Sequence, residues 1–244
     1  MQQFLAFRLH GVMASWGEVA VGPIRGSADH PTRSALIGLV GAALGVLRDD
    51  DDLQTKLAQM MRFAVRVDLP GVLMRDYHTT RVGQPDRKEW STTRRESLKA
   101  RRVHCIPSER YYYCDAHYTV IAWATDDNTW SLEDIAHALR HPHFVLCLGR
   151  KACPPGLPLE AHVFEAKTLR EAFRGTHFEL PPALHKLLPD RQRLIWEDTG
   201  QVPLGLTAEH VFDRRDDPIS ATRRHFGLRR EYQTTLPRED TPCT

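Results

Sequence analysis

No stretch of this chain is apolar for long enough to cross a bilayer. The longest, Ala35 to Leu47, falls short of the roughly 20 residues that a spanning helix needs. The start, MQQFLAFRLHG, lacks a basic segment before an apolar core and has no small-residue cleavage site, so no secretory signal is expected. Cysteine is sparse. Cys105, Cys114, Cys147, Cys153 and Cys243 are an odd number at irregular spacing, which argues against a disulfide framework. Missing too are a Walker loop, G-x-G-x-x-G, H-E-x-x-H, paired C-x-x-C and G-x-S-x-G, and with them the common nucleotide, metalloprotease and esterase chemistries. These absences lead to the expectation of a soluble, cytoplasmic protein. Its 244 residues, 41% hydrophobic and 26% charged, exclude disordered and fibrous classes and suffice for one large domain or two small ones.

A net charge of +2 hides an imbalance. Residues 75–113 carry ten Lys/Arg against five Asp/Glu, which leaves the other 205 residues at −3. Positive charge gathered in one segment suggests a polyanionic partner, although a solvated loop has the same composition.

Residues 4–9 alternate as a half-buried strand, and Pro31-Thr32 open an apolar helix to about Leu47, with Thr32 as N-cap. Gly38, Gly41 and Gly45 recur at steps of three and four on that helix, so close approach to a sheet is expected there. Strands are expected at Arg62 to Val67, Leu73 to Thr80, Tyr118 to Ala124 and Phe144 to Leu148, with a helix capped by Ser131 ending near Arg140. Setting aside an inserted hairpin at about 80–112, the order is β-α-β-β-α-β. The expected fold is therefore α+β and ferredoxin-like, the plan of RNA-recognition motifs. Seven prolines from Pro154 to Pro203 break up the chain, so residues 1–155 are expected to form the main domain and 156–244 a smaller, irregular part.

No cofactor is expected, and no metal either. Asp49 to Asp52 reads as a solvated loop, and His137, His141 and His143 include one helical i, i+4 pair without a third ligand at clear spacing. The basic segment is more informative because Tyr77, His78, Trp90, Tyr111, Tyr112 and Tyr113 are interleaved with its charges. Guanidinium groups grip phosphate and aromatic faces stack unpaired bases, a mixture suited to single-stranded RNA. Arg25 beside Gly26, and Gly149-Arg150-Lys151, place cations next to glycine, where backbone can approach phosphate. The expected RNA contacts are Arg25, Arg33, Tyr77, His78, Arg94, Arg95, Lys99, Arg101, Arg102, Gly149, Arg150 and Lys151. If the chain instead cleaves RNA without metal, Tyr77, His78, Lys99 and His104 are the available acid and base groups.

Several ordered blocks carry a family resemblance. They are Met13-Ala14-Ser15-Trp16-Gly17, the run Pro31 to Gly45, Arg75-Asp76-Tyr77-His78-Thr79, Tyr113-Cys114-Asp115-Ala116 and Leu148 to Pro154. In these residues the chain resembles the "Cas five" family of the RAMP superfamily, found in the type I-E CRISPR Cascade complex. His10-Gly11-Val12 departs from the family's usual Gly-Pro pair, and the last third matches only diffusely. The resemblance implies a non-catalytic subunit that hooks the 5′ handle of the CRISPR RNA (crRNA). It also implies a β-hairpin thumb at about 80–112 set against the neighbouring backbone subunit, and contact with the large subunit. Target DNA would be met only through the assembled complex, and no membrane is involved. A sister subfamily cleaves its RNA, which keeps the endoribonuclease alternative open.

Overall fold

The structure, a computed structural model, describes residues 1–20, 22–83, 92–99, 103–125, 129–200, 202–220, 222–223 and 225–238. Its elements in chain order are β1 (Gln2–His10), β2 (Met13–Ala14), β3 (Ile24–Arg25), α1 (Arg33–Leu44), α2 (Asp51–Met60), β4 (Met61–Leu69), β5 (Val72–Gly83) and α3 (Arg94–Leu98). There follow β6 (Val103–Cys114), β7 (His117–Ala124), α4 (Leu132–Arg140), β8 (His162–Ala166), α5 (Leu169–Gly175), α6 (Pro182–His185), β9 (Arg191–Glu197), β10 (His210–Ser220) and β11 (His225–Pro237). The protein is mixed α+β and mostly sheet. One seven-stranded sheet runs β10-β11-β9-β4-β7-β1-β8, every neighbouring pair antiparallel, and a second sheet joins β2, β3, β5 and β6.

Alternation along the central strands sends side chains to two cores. Leu5, Phe7, Val65, Val67, Tyr118 and Val120 face one side and meet Leu36, Val40, Ile135 and Leu139 of α1 and α4. Phe4, Ala6, Ala64, Ile121 and Trp196 face the other, under Leu169 and Phe173 of α5. Thr32 caps α1 by accepting from Ala35 N, and Gly45 ends it in the left-handed region at φ 79°. Ser131 and Asp134 form a reciprocal capping box on α4.

Several expectations need correction. Phe144 to Leu148 is not a strand, because its backbone is used elsewhere. His143 N and Phe144 N donate to Ala43 O and Ala42 O at the end of α1, while Leu148 pairs with Cys153 and Ser15. The strand beside β1 is β8 instead. Nor is the C-terminal part irregular: β8 extends one edge of the sheet and β9, β10 and β11 extend the other, so the sheet crosses position 155. Asp50 is not in a solvated loop but caps α2 by accepting from Leu53 N. Of the α1 glycines, a Cβ at Gly41 would touch Leu57 of α2, one at Gly45 would overlap His143, and one at Gly38 would meet nothing within 4 Å. The close approach is thus to a helix and a loop rather than to the sheet.

Charged pairs weld β11 to the N-terminal half. His30, buried, lies 2.6 Å from Asp29 and 3.2 Å from Glu231. Burial opposes its charge, but hydrogen bonds to both carboxylates outweigh that and hold its pKa above the usual value. The folded state therefore binds a proton that the unfolded chain releases near pH 6.5. This stabilisation is complete below that pH and is lost as pH rises through the raised value. Urea melts should show stability falling with pH above about 6.5, and the slope should be absent in His30→Gln. A parent whose stability is flat across that window would contradict the assignment.

Candidate nucleic-acid interface

The loop at 148–153 folds on itself and onto the turn that follows β1. Leu148 N donates to Cys153 O (2.7 Å) and Cys153 N to Arg150 O (2.9 Å), closing the loop. Ser15 N donates to Leu148 O (3.0 Å), and Ser15 Oγ donates to Tyr111 O on β6 (2.9 Å). Trp16, fully buried, anchors this turn edge-on against Tyr118 at 5.8 Å. Gly149 adopts φ 84°, and a Cβ there would lie 1.9 Å from Ser15 O. No side chain fits at this position.

This clamp places Arg150. Its guanidinium carbon sits 4.8 Å from the centroid of the Tyr112 ring, and the group donates to Tyr111 O (3.4 Å) and Arg25 O (3.1 Å). A guanidinium has five N–H groups, so donors remain for an anion. Residues paired directly across a ladder share a face. Arg25 pairs with Arg110 and Arg110 with Asp76, so the exposed Arg25 and Arg110 stand on the face of β6 that also carries Tyr112. Asp76 is engaged by His78. Arg150 over the Tyr112 ring, with Arg25 and Arg110 on the same strand face, thus makes a cationic surface, with Lys151 exposed beside it. Burial raises the pKa of the flanking Cys147 and Cys153 thiols, so they add no anionic thiolate near neutral pH.

Other expected contacts fall elsewhere. Arg33 is buried, and its guanidinium is taken by Glu197, Asp217, Met61 O and Ala58 O, so it cannot meet RNA. Arg94 and Arg95 lie exposed on α3, which Gly83 N ties to the far end of the β5–β6 ladder through Ser97 Oγ (3.0 Å). Arg101 and Arg102, like Trp90, lie outside the described residues. Of the three adjacent tyrosines only Tyr112 is buried; Tyr77 is 63% exposed.

Tyr77, His78, Lys99 and His104 are not brought to one phosphate. His78 pairs with Ser108 while His104 pairs with Val82, four residues further along β5, about 13 Å at strand rise. Tyr77 projects from the opposite face to His78, and Lys99 ends α3 beyond the ladder. Among the described residues no group of three or more His, Cys, Asp or Glu could hold a metal ion. Sequence reasoning counted Arg110 in the basic segment without singling it out. Its pairing with Arg25, 85 positions away, is what marks it.

The comparisons with known proteins bear on the whole chain. Residues 4–232 match the family described as CRISPR-associated protein (Cas_Cas5). The chain belongs to that family. A curated relative, the CRISPR system Cascade subunit CasD of Escherichia coli (strain K12), is 30% identical, with 95% of this chain and 96% of the relative covered. Among solved structures, a chain of a CRISPR RNA-guided surveillance complex is similar at TM-score 0.65 and 28% identity, covering 96% of this chain and 90% of that one. A second, described as a Cas protein, has TM-score 0.58 and 26% identity, with coverage of 96% and 95%. The Cas_Cas5 match takes in β1 to β11 almost entire, so the C-terminal strands belong to the family as much as the blocks near the N-terminus do.

Proposed function

We propose that this chain is a non-catalytic, RNA-binding subunit of a CRISPR Cascade interference complex, acting in antiviral defence in the cytoplasm and holding the 5′ handle of the crRNA. The observation that carries this reading is the clamp at Gly149. It fixes Arg150 over Tyr112 and beside Arg25 and Arg110 before any RNA arrives. Pre-set guanidinium groups lose little freedom when they take phosphate bidentately, and Arg150 is already ordered by its ring. Lys151 adds a point charge to the same path.

In this reading β1, α1, β4, β7, α4 and β8 form a ferredoxin-like unit, which the order β4-β7-β1-β8 of antiparallel strands supports. The β5–β6 ladder, with α3, serves as the thumb and presents Arg94 and Arg95 to the RNA or to a neighbouring backbone subunit. The large subunit is the other protein partner, and target DNA is met only through the complex. The separation of Tyr77, His78, Lys99 and His104 supports binding without cleavage, and neither metal nor cofactor is needed.

Single-strand binding by the purified chain tests this. Each phosphate contact removed by Arg25→Ala, Arg110→Ala or Arg150→Ala should reduce the log–log salt slope by about 0.7. Repeat RNA recovered from these mixtures should be intact. If the triple variant matches the parent in affinity and slope, the surface does not bind RNA. Cleavage that disappears in His78→Ala or His104→Ala would establish an endoribonuclease instead.

A further inference from the structure

Arg25, on β3, reaches back to the loop before it, where its Nη1 donates to Ala20 O (3.2 Å). In the same loop Glu18 accepts from the Arg214 guanidinium of β10 at 3.5 Å. The edge of the large sheet is thereby tied to the cationic surface. We propose that β10 extends the RNA path past Arg25, with the Phe212 and His210 rings stacking an unpaired base of the crRNA. This inference rests on the RNA-binding reading above.

Residues two apart on a strand share a face. His210, Phe212 and Arg214 therefore line one face of β10, and the register is regular as far as Arg214, with Phe212 opposite Glu231 and Arg214 opposite Arg229. The His210 and Phe212 rings lie 6.1 Å apart, tilted by 41°. Phe212 is 46% exposed, and His210 is exposed as well. β10 is the outermost strand of its sheet, so among the described residues no further strand covers the flank of these rings. A lone exposed apolar side chain is ordinary. Two rings side by side on one strand face, about 7 Å along the strand from an arginine tied to the loop of Arg25, are a stacking platform at the border of the RNA surface.

The platform brings no surplus charge. Over residues 209–215, Glu209 and Asp213 balance Arg214 and Arg215, and Arg214 is already paired with Glu18 and Glu231. Phosphate recognition thus stays with Arg25, Arg110 and Arg150, and β10 contributes ring faces alone. Stacking on an aromatic face suits every base, so this contribution should not depend on RNA sequence. It releases no counterions, so it should not change the salt slope either.

Fluorescence titration of the full chain tests this, with a single-stranded RNA of about 12 nucleotides carrying 2-aminopurine. Phe212→Ala should weaken binding by about tenfold and keep the parental salt slope, whereas Arg150→Ala should lower the slope. Phe212→Trp should bind as the parent does. Phe212→Leu keeps an apolar side chain but has no π-face, and should weaken binding as Phe212→Ala does. Because the position is exposed, all three Phe212 variants should melt as the parent does. Equal RNA affinity of the parent and Phe212→Ala would overturn the proposal, and so would parental binding by Phe212→Leu, the mark of a merely apolar contact. Failure of Phe212→Ala to assemble with protein neighbours while it binds RNA normally would assign the rings to a protein instead. Binding that weakens in Arg150→Ala but not in Phe212→Ala overturns this inference alone; a parent that binds no RNA overturns the underlying reading with it.

Discussion

Arg33→Ala should cost about 3–5 kcal/mol of folding stability, the loss expected when one partner of a buried ion pair is removed. The Arg33 side chain is a hub. Its Nη1 donates to both Glu197 oxygens (2.7 and 2.5 Å) and to Met61 O, Nε donates to Asp217 (2.8 Å), and Nη2 donates to Ala58 O. It thereby holds the start of α1 against α2, β4, β9 and β10. Glu197 also accepts from Phe63 N, so the carboxylate cannot leave the interior when its cation is removed. Burial already raises the Glu197 pKa despite the opposing pull of Arg33 and Arg229. Without Arg33 it should rise further. A carboxyl whose folded pKa exceeds its unfolded value binds more protons in the folded state, so its contribution worsens as pH rises. The variant should accordingly recover part of the loss near pH 5, and Arg33→Met combined with Glu197→Gln should recover most of it at neutral pH. Urea melts at both pH values decide the matter: a loss below about 1 kcal/mol would show that the hub is not what joins these elements.

Arg33 also marks where sequence reading runs out. Beside Pro31-Thr32, at the head of an apolar helix, it reads as a cation free for phosphate. Its partners Glu197 and Asp217 are 164 and 184 residues away, and no local pattern connects them. The strands of the C-terminal third were hidden for a related reason. Hydrophobic alternation exposed β1, β4 and β7, whose faces are apolar, but β10 and β11 bury Asp216 and Glu231 in pairs with Arg229. Strands whose buried positions are ion-paired do not alternate in hydropathy. Capping, by contrast, is local chemistry, and Thr32 and Ser131 were legible from a few neighbouring residues. The cationic surface was half legible. Glycine beside arginine pointed to Arg25 and to Gly149-Arg150, whereas the meeting of Arg150, seated on Tyr112, with Arg25 O depends on the register of β3 on β6.

That meeting rests on one atom too few. Gly149→Ala should reduce crRNA affinity by about tenfold or more, because the added methyl cannot be placed without moving the loop. The position has φ 84°, which an L side chain adopts at a cost of about 1–2 kcal/mol, and the methyl would also sit 1.9 Å from Ser15 O. Relieving that overlap means breaking the bond from Ser15 N to Leu148 O, which ties the loop to the turn. Arg150 would then lose its seat on Tyr112 and its bond to Arg25 O, and the two phosphate contacts proposed for Arg150 and Arg25 should go together. The loss should exceed that of Arg150→Ala alone and carry a salt-slope reduction of about 1.4 if both contacts vanish. Gly38→Ala provides the control: its new methyl meets nothing within 4 Å, and alanine should strengthen α1 by up to about 1 kcal/mol without touching RNA affinity. If Gly149→Ala binds RNA as the parent does while melting at a lower temperature, the clamp serves the fold alone and the RNA path lies elsewhere on the molecule.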